Sequence, residues 1–404
     1  MSDVRPHHPG SLVEPSAELT DDQAARAQRQ MILPGFGEIA QRRLANARVL
    51  VIGAGGLGSA CVPYLAGAGV GTIGVVDNDV VELSNLHRQV LHGTKDVGRA
   101  KTASFADAVH ALNPGVRLQT HQLRLNSENA LRLFRDYDLV IDGSDNFPTR
   151  YLVSDASELL ALPLVWGAIF QTFGQVSVAW QPHGPGYRDL FPVPPAPGDV
   201  LNCGEGGVLP SLCGTIGSLL ATEALKLITG LGDPLLGRVL IYDALSARMS
   251  ELPFQRHPDR QPVLELVDYE VFCAGPAELP PSIEATDLAA RLRSGAKTRL
   301  LDVRTDVERS LRHIISSESL TLTDLEASEF SLQEPVILYC ENGPRSIRAA
   351  QILRERGGTE AWFLAGGIRA FAAHAPDLLQ SGSEPSARSA PSTNNQYLTK
   401  DEKR

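Results

Sequence analysis

Short apolar runs alternate with amphipathic stretches along most of the chain. "RVLVIG" (48–53) is apolar on both faces of an extended chain, which marks a buried strand, and it runs straight into a glycine-rich turn. "SACVPYLAGAG" follows with helical character, and Pro63 lies close enough to its start to be tolerated. "TIGVVD" reads as a second strand, "RAKTASFADAVHAL" as a helix stopped by "NPG", and "YDLVIDGSD" as a third strand. "LVWGAIF" and "QVSVAW" add two strands, and "LCGTIGSLLATEALKLITG" adds a long helix closed by Gly230. Upstream, Thr20 is the expected N-cap of a helix over "TDDQAARAQRQMI". Strands alternating with helices predict an α/β fold whose open, mostly parallel sheet is covered on both faces.

The pattern changes between residues 250 and 282. There "PFQRHPDRQP" and "AGPAELPPS" read as proline-rich connectors around one apolar strand, "LELVDYEVF". A smaller αβ pattern then runs from Ile283 to Leu379, with "TRLLDVR" and "PVILYC" as strands and "RSIRAAQILRERG" as a helix beginning near Ser346. Residues 1–20 and 380–404 are poor in apolar content and are expected to be disordered tails. The expected organisation is a first domain over 21–273, a linker over 274–282 and a second domain over 283–379. A hydrophobic fraction of 43% in 404 residues suits two or three packed cores. The net charge of −10 argues against a nucleic-acid surface and against a polybasic membrane patch. No secretory signal is visible, and "LLALPLVWGAIF" is too short to cross a bilayer. Cysteines at 61, 203, 213, 273 and 340 form no regular framework, which points to reduced thiols and a cytoplasmic location.

Gly53, Gly55 and Gly58 satisfy G-x-G-x-x-G between a strand and a helix, a turn that lets backbone N–H groups approach phosphate oxygens. Asp77, at the end of the second strand, is placed to hold a ribose hydroxyl. On these residues alone a dinucleotide and a nucleoside triphosphate fit equally well. "DNDVVELSNLHRQVLHGTKDVGRAK" breaks the tie by adding Asp79, Asn85, Arg88, Gln89 and Lys101 within one βα unit. A hydride-transfer site seldom gathers cations on the phosphate side, whereas triphosphate cleavage needs them against the charge of the departing pyrophosphate. In "LVIDGSDNFPTR", Asp142 and Asp145 fall at and just past a strand's C-terminal end, where a carboxylate facing phosphates suits Mg²⁺. For Asp145, capping of the following helix is the alternative.

The segments "GAGGLGS", "DNDVVELSNLHRQ", "GRAK" and "DGSDN" together resemble the MoeB/ThiF family, prokaryotic relatives of the ubiquitin-activating enzymes, from Ala24 to Cys273. The resemblance implies a Rossmann-like domain that uses ATP and Mg²⁺ to adenylate the C-terminal glycine of a ubiquitin-fold sulfur carrier protein ending in Gly-Gly. It further implies Gly56 beside the nucleotide, Asp77 on the ribose, and Ser84, Asn85, Arg88 and Lys101 around the phosphates. Asp145 would hold the metal, with Asn146 nearby. A homodimer is implied as well, because Arg29 matches an arginine that reaches the triphosphate of the other subunit. Family members usually carry tyrosine where this chain has Ala27.

Cys203, in "LNCGEGGVLPSL", resembles a family cysteine given a thioester or acyl-disulfide role, with an idle thiol as the alternative. "VILYCENGPRSIRAAQIL" sets Cys340 at the start of a loop that enters a helix, so loop N–H groups and the helix's positive end favour a thiolate or persulfide. With "LLDVR" (Asp302, Arg304) and "LAGGIRAF", residues 283–378 resemble a rhodanese domain. That resemblance implies a sulfur-carrying Cys340 charged by a persulfide or thiosulfate donor. Pro344 removes one N–H from the cradle, and Glu341 adds a negative charge beside it. The expected function is adenylation followed by sulfur transfer to a thiocarboxylate. The alternatives are adenylation with a decayed rhodanese domain, a non-catalytic carrier-docking scaffold, and an NAD-dependent oxidoreductase. Many MoeB/ThiF enzymes hold a structural zinc with two C-x-x-C pairs. Here Gly186 and Asp189 stand at the first pair and Arg260 in the second, so no zinc is expected. His183, Asp189 and His257 read as surface residues, and packing of "DLFPVP" is expected to hold the region together.

Overall fold

A computed structural model describes residues 10–181, 183–195, 207–274, 280–328, 330–332, 334–357 and 360–382. These fall into two units that divide between Ala274 and Pro280. The first unit opens with α1 (Asp21–Met31), started by a capping box between Thr20 and Gln23, followed by α2 (Gly37–Asn46), β1 (Arg48–Ile52) and α3 (Gly56–Gly67). Next come β2 (Thr72–Val76), α4 (Lys101–Leu112), β3 (Arg117–His121), α5 (Ala130–Phe134), β4 (Leu139–Asp142) and α6 (Phe147–Leu159). The unit closes with β5 (Leu164–Phe170), β6 (Phe173–Ala179), α7 (Tyr187–Leu190), α8 (Pro210–Thr229), β7 (Arg238–Asp243), β8 (Arg248–Pro253) and α9 (Tyr269–Ala274).

The eight strands form one sheet in the order β3-β2-β1-β4-β5-β6-β7-β8, parallel from β3 through β5 and antiparallel beyond. Side chains alternate between the two faces. Val49 and Val51 enter the core shared with Leu57, Phe105 and Ile216, while Leu50 and Ile52 enter the opposite core with Phe134, Tyr151 and Val153. Double burial is what makes "RVLVIG" read as a continuous apolar run. Because β2 and β4 lie on opposite sides of β1, the strand order reverses between β1 and β4. Ligands of open α/β sheets bind outside the strand C-termini at such a point.

α8 is long and apolar enough to cross a bilayer, a stretch that exceeds "LLALPLVWGAIF" in that respect. It is a core helix: Leu212, Ile216, Leu220 and Leu227 are fully buried, and Gly230 ends it in the left-handed conformation at φ 78°.

Three expectations change. Part of the expected N-terminal tail packs: the Leu12 N–H donates to Leu227 O at 3.0 Å, Val13 is buried, and Arg42 grips Ser16 O. "LELVDYEVF" is not a strand. Leu264 and Val267 are exposed and α9 begins at Tyr269, whose hydroxyl reaches the buried Asp155 carboxylate at 2.5 Å, so a tertiary partner outweighs the β-propensity of the run. The last strands are instead β7 and β8, a hairpin whose exposed outer strand lacks the apolar alternation that would have revealed it.

The second unit comprises β9 (Ser282–Ile283), α10 (Ala285–Arg293), β10 (Leu300–Asp302), α11 (Asp306–Leu311), β11 (His313–Ile314), β12 (Glu318–Ser319) and α12 (Leu322–Ala327). It continues through β13 (Val336–Tyr339), α13 (Pro344–Glu355), β14 (Ala361–Leu364), α14 (Gly367–His374) and β15 (Leu379–Gln380). Five strands form a parallel sheet in the order β12-β10-β13-β14-β9, so Ser282, expected in the linker, joins the sheet with Ile283. β13 is central, and Cys340 follows it. The helix after it starts at Pro344 rather than near Ser346, a first-turn position that proline suits.

Candidate active site

The glycine turn is built by close approach. A Cβ on Gly58 would fall 2.2 Å from the Gly53 carbonyl oxygen, so α3 can start directly above β1 only with glycine there. Gly53 itself has φ 95° and abuts Gly143 after β4. Gly56, implied to lie beside the nucleotide, has a nearer reason to be glycine: its Cβ would sit 2.7 Å from Cys213 Sγ of α8.

Around this turn the sequence-named residues converge. Asp77 Oδ2 accepts the Ala54 N–H and Oδ1 the Asp79 N–H, both at 2.8 Å, which leaves each oxygen a second lone pair. Lys101, first residue of α4 and buried, points its Nζ at Asp79 Oδ2 at 3.0 Å. Gln89 is buried against Gly55, and the half-buried Arg88 passes beside Gly56, its guanidinium on His87 Nε2 at 2.7 Å and Ser84 O at 3.4 Å. Burial and the Arg88 charge both push the His87 imidazole below its ordinary range. Asn85 is turned inward instead: its Oδ1 accepts the Glu82 N–H of its own 3₁₀ turn at 3.2 Å, and the exposed Ser84 hydroxyl leans on Glu82.

At the C-terminal end of β4 the two aspartates separate in character. Asp142 is buried and accepts the Ser144 N–H at 2.9 Å; burial raises its carboxyl above the ordinary range, with Arg150 opposing. Asp145 is exposed, and the cap of α6 is its neighbour Asn146, whose Oδ1 takes the Thr149 N–H at 2.9 Å. Capping therefore does not account for Asp145. A lone exposed carboxylate fits Mg²⁺ as one ligand, the others being waters and phosphate oxygens when the ion is bound. Arg29 is exposed in the last turn of α1 and makes no ion pair among the described residues. Cys203 lies outside the described residues.

The segments expected to lack zinc hold a guanidinium cluster. Asp189, fully buried rather than on the surface, accepts the Gly186 N–H at 2.7 Å, the His257 N–H at 3.0 Å and Arg260 Nη1 at 3.5 Å. Arg260 also pairs with Glu158 of α6, which accepts the Val263 N–H at 3.3 Å. A cation thus stands among the donors, and the set does not fit a metal ion. One step along, Arg188 forks onto Asp155 at 2.6 and 2.7 Å, so two arginines fasten this region to α6. Replacing Arg260 by Ala leaves Asp189 and Glu158 buried without their cation, for an expected loss of about 3 kcal/mol in urea unfolding; Arg260→Lys recovers only part, lacking the fork.

In the second unit Cys340 Sγ is buried and receives the Gly343 N–H at 3.0 Å, with the Ser346 hydroxyl at 3.6 Å. "LAGGIRAF" earns its glycines here, because a Cβ on Gly367 would lie 2.4 Å from Glu341 O. That approach lets α14 donate the Ile368 and Arg369 N–H groups to the Cys340 and Glu341 carbonyls at 2.8 and 3.1 Å. Glu341 does not face the sulfur as a free charge: its carboxylate is held by Arg304 Nη1 at 3.0 Å and by Arg312. Arg304, itself buried, is forked onto Asp302 at 2.8 and 2.9 Å. Arg345 forks onto Glu308 at 2.7 and 2.9 Å; burial opposes ionisation of Glu308, yet the Arg345 bonds hold its carboxyl down at about 2.

Sequence reasoning missed His92, buried against the glycine turn, since nothing in its spacing tells which backbone group it meets. It also missed Arg312 and Glu308, and the partners of Arg260, because the groups that meet lie far apart in the chain.

Comparison with known proteins matches this architecture. Residues 27–263 match the ThiF family and residues 284–374 the rhodanese-like domain. The chain is 46% identical over 383 residues to the probable adenylyltransferase/sulfurtransferase MoeZ of Mycobacterium tuberculosis, covering 91% of this chain and 98% of the relative. It is 52% identical over 265 residues to the sulfur carrier protein adenylyltransferase of Thermus thermophilus, covering 63% of this chain and 98% of that one. Its fold is similar to a crystal structure of E. coli MccB with ATP (TM-score 0.53, 19% identity, 61% of this chain and 76% of that chain). The chain belongs to the ThiF family, as an adenylyltransferase/sulfurtransferase in which that domain is followed by a rhodanese-like one.

Proposed function

We propose that the first domain, over 21–273, uses ATP to adenylate the C-terminal glycine of a ubiquitin-fold sulfur carrier ending in Gly-Gly, and that the second, over 283–379, supplies the sulfur. The observation that carries the reading is the glycine turn at the strand-order reversal, ringed by Asp77, the Lys101–Asp79 pair, Arg88 and Asp145. The carrier carboxylate attacks the α-phosphorus and pyrophosphate leaves, which makes the acyl carbon far easier to attack. Asp77 orients the ribose, and Gly53, Gly55 and Gly58 let backbone approach the phosphates. Arg88 and Lys101 balance the charge that grows on the leaving group, with Ser84 bordering them. Mg²⁺ held by Asp145, next to Asn146, would neutralise phosphate charge when bound. Arg29 serves the site of the second subunit in a homodimer.

A persulfide on Cys340, loaded by a persulfide or thiosulfate donor, then attacks the acyl carbon with its outer sulfur and AMP leaves. A second thiol, for which Cys203 is the candidate, breaks the resulting S–S bond. This releases the thiocarboxylate and leaves a Cys203–Cys340 disulfide for reduction. Burial of Cys340 beneath the Gly343 N–H, with Glu341 neutralised by two arginines, supports an active rather than decayed rhodanese domain. A zinc-free, cytoplasmic enzyme is part of the reading, supported by the Arg260 cluster and by the lack of a cysteine framework. The test is ATP–pyrophosphate exchange dependent on a Gly-Gly carrier, with metal analysis of the same sample. No exchange with any sulfur carrier of the same genome overturns the adenylation reading, and stoichiometric zinc overturns the metal-free one.

A further inference from the structure

We propose that His92 is a positioning residue for adenylation, locking the glycine turn by holding the Ala54 carbonyl. The inference rests on the reading of that turn as the ATP site. His92 is 6% exposed, yet both ring nitrogens have polar partners: Nε2 lies 3.2 Å from Ala54 O and Nδ1 lies 2.9 Å from Ser104 Oγ. A carbonyl can only accept, so Nε2 carries the proton toward Ala54, while Nδ1 meets the Ser104 hydroxyl, which also bonds the Asp96 carboxylate. The ring also packs on Phe105, with centroids 5.2 Å apart.

Ala54 is thereby gripped on both sides. Asp77 takes its N–H at 2.8 Å, which fixes the peptide plane between Gly53 and Ala54; His92 takes its carbonyl, which fixes the plane between Ala54 and Gly55. In a trans peptide the C=O and the following N–H point in opposite directions. Pinning the Ala54 carbonyl toward His92 therefore aims the Gly55 N–H the other way, and that N–H donates to no acceptor among the described residues. Glycine at 55 makes a flip of this peptide cheap, and a flipped plane would turn a carbonyl oxygen toward phosphate. The lock also joins the turn to Lys101, because Ser104 and Phe105 stand on the helix that Lys101 begins.

The experiment compares His92→Phe and His92→Gln in the full chain, using ATP binding and the KM values of pyrophosphate exchange. Phe fills the space without a hydrogen bond, so the KM and Kd for ATP should rise about tenfold, with carrier KM little changed. Gln can donate its amide N–H to Ala54 O and should recover most of the loss. Wild-type ATP affinity in His92→Phe, an equal loss in both variants, or a matching rise in carrier KM overturns the proposal. Should His92→Phe not fold, Ser104→Ala carries the test: a smaller rise in ATP KM supports the lock, and no rise overturns it. Failure of the unaltered chain to bind ATP would overturn the ATP reading itself and this inference with it.

Discussion

Lys101→Ala is expected to cut carrier-dependent ATP–pyrophosphate exchange by about 10²–10³-fold with little change in unfolding midpoint. The Lys101 ammonium is almost fully enclosed, and Asp79 pre-orients it at 3.0 Å beside the glycine turn. A triphosphate carries more charge than one carboxylate and competes for the same cation, so the ammonium is available where leaving-group charge grows. Fold stability should hardly change, because Asp79 is 42% exposed and water can take over from the lost partner. Arg88→Ala should act in the same direction. Exchange within a few-fold of wild type in Lys101→Ala would mean that the cation faces no phosphate, and the assignment of the turn to ATP would fail.

Cys340→Ser is expected to abolish thiocarboxylate formation while leaving pyrophosphate exchange intact. The hydroxyl can accept the Gly343 N–H that Sγ accepts now, and the backbone bonds from α14 to the Cys340 and Glu341 carbonyls do not involve the side chain. The loop should therefore keep its shape and lose only the atom that carries sulfur. Mass spectrometry of the carrier reads the result as the replacement of one oxygen by sulfur. Thiocarboxylate at the wild-type yield in this variant would show that sulfur bypasses Cys340, and the second domain would then be a decayed one. The two variants separate the steps, since one should lose exchange and the other should not.

Much of the site was legible in the chain because its parts are local. Asp77, Asp79, Asn85, Arg88 and Lys101 lie within one strand-to-helix crossover, and the Cys340 loop spans a single strand–turn–helix. What those residues meet was less legible. Asn85 was expected at phosphates and mostly serves its own turn, while Glu341 was expected to oppose an anion at Cys340 and is held by Arg304 and Arg312. Asp189 was expected at the surface and is buried beneath Arg260, a residue 71 positions away. Hydropathy cannot forecast such a pairing, because a charge becomes buriable only once its counter-charge has been brought to it.

The chain by itself determined the αβ alternation, the glycine turn, the crossover of acids and bases, and the strand–turn–helix around Cys340, since each follows from periodicity or from backbone needs within a few dozen residues. Only the tertiary structure decided that Arg260 fastens the region expected to lack zinc, that "LELVDYEVF" ends in a helix, and that His92 reaches the Ala54 carbonyl. Each of these depends on groups distant in sequence meeting across a packed core, where a partner's position, rather than a residue's type, sets what that residue does.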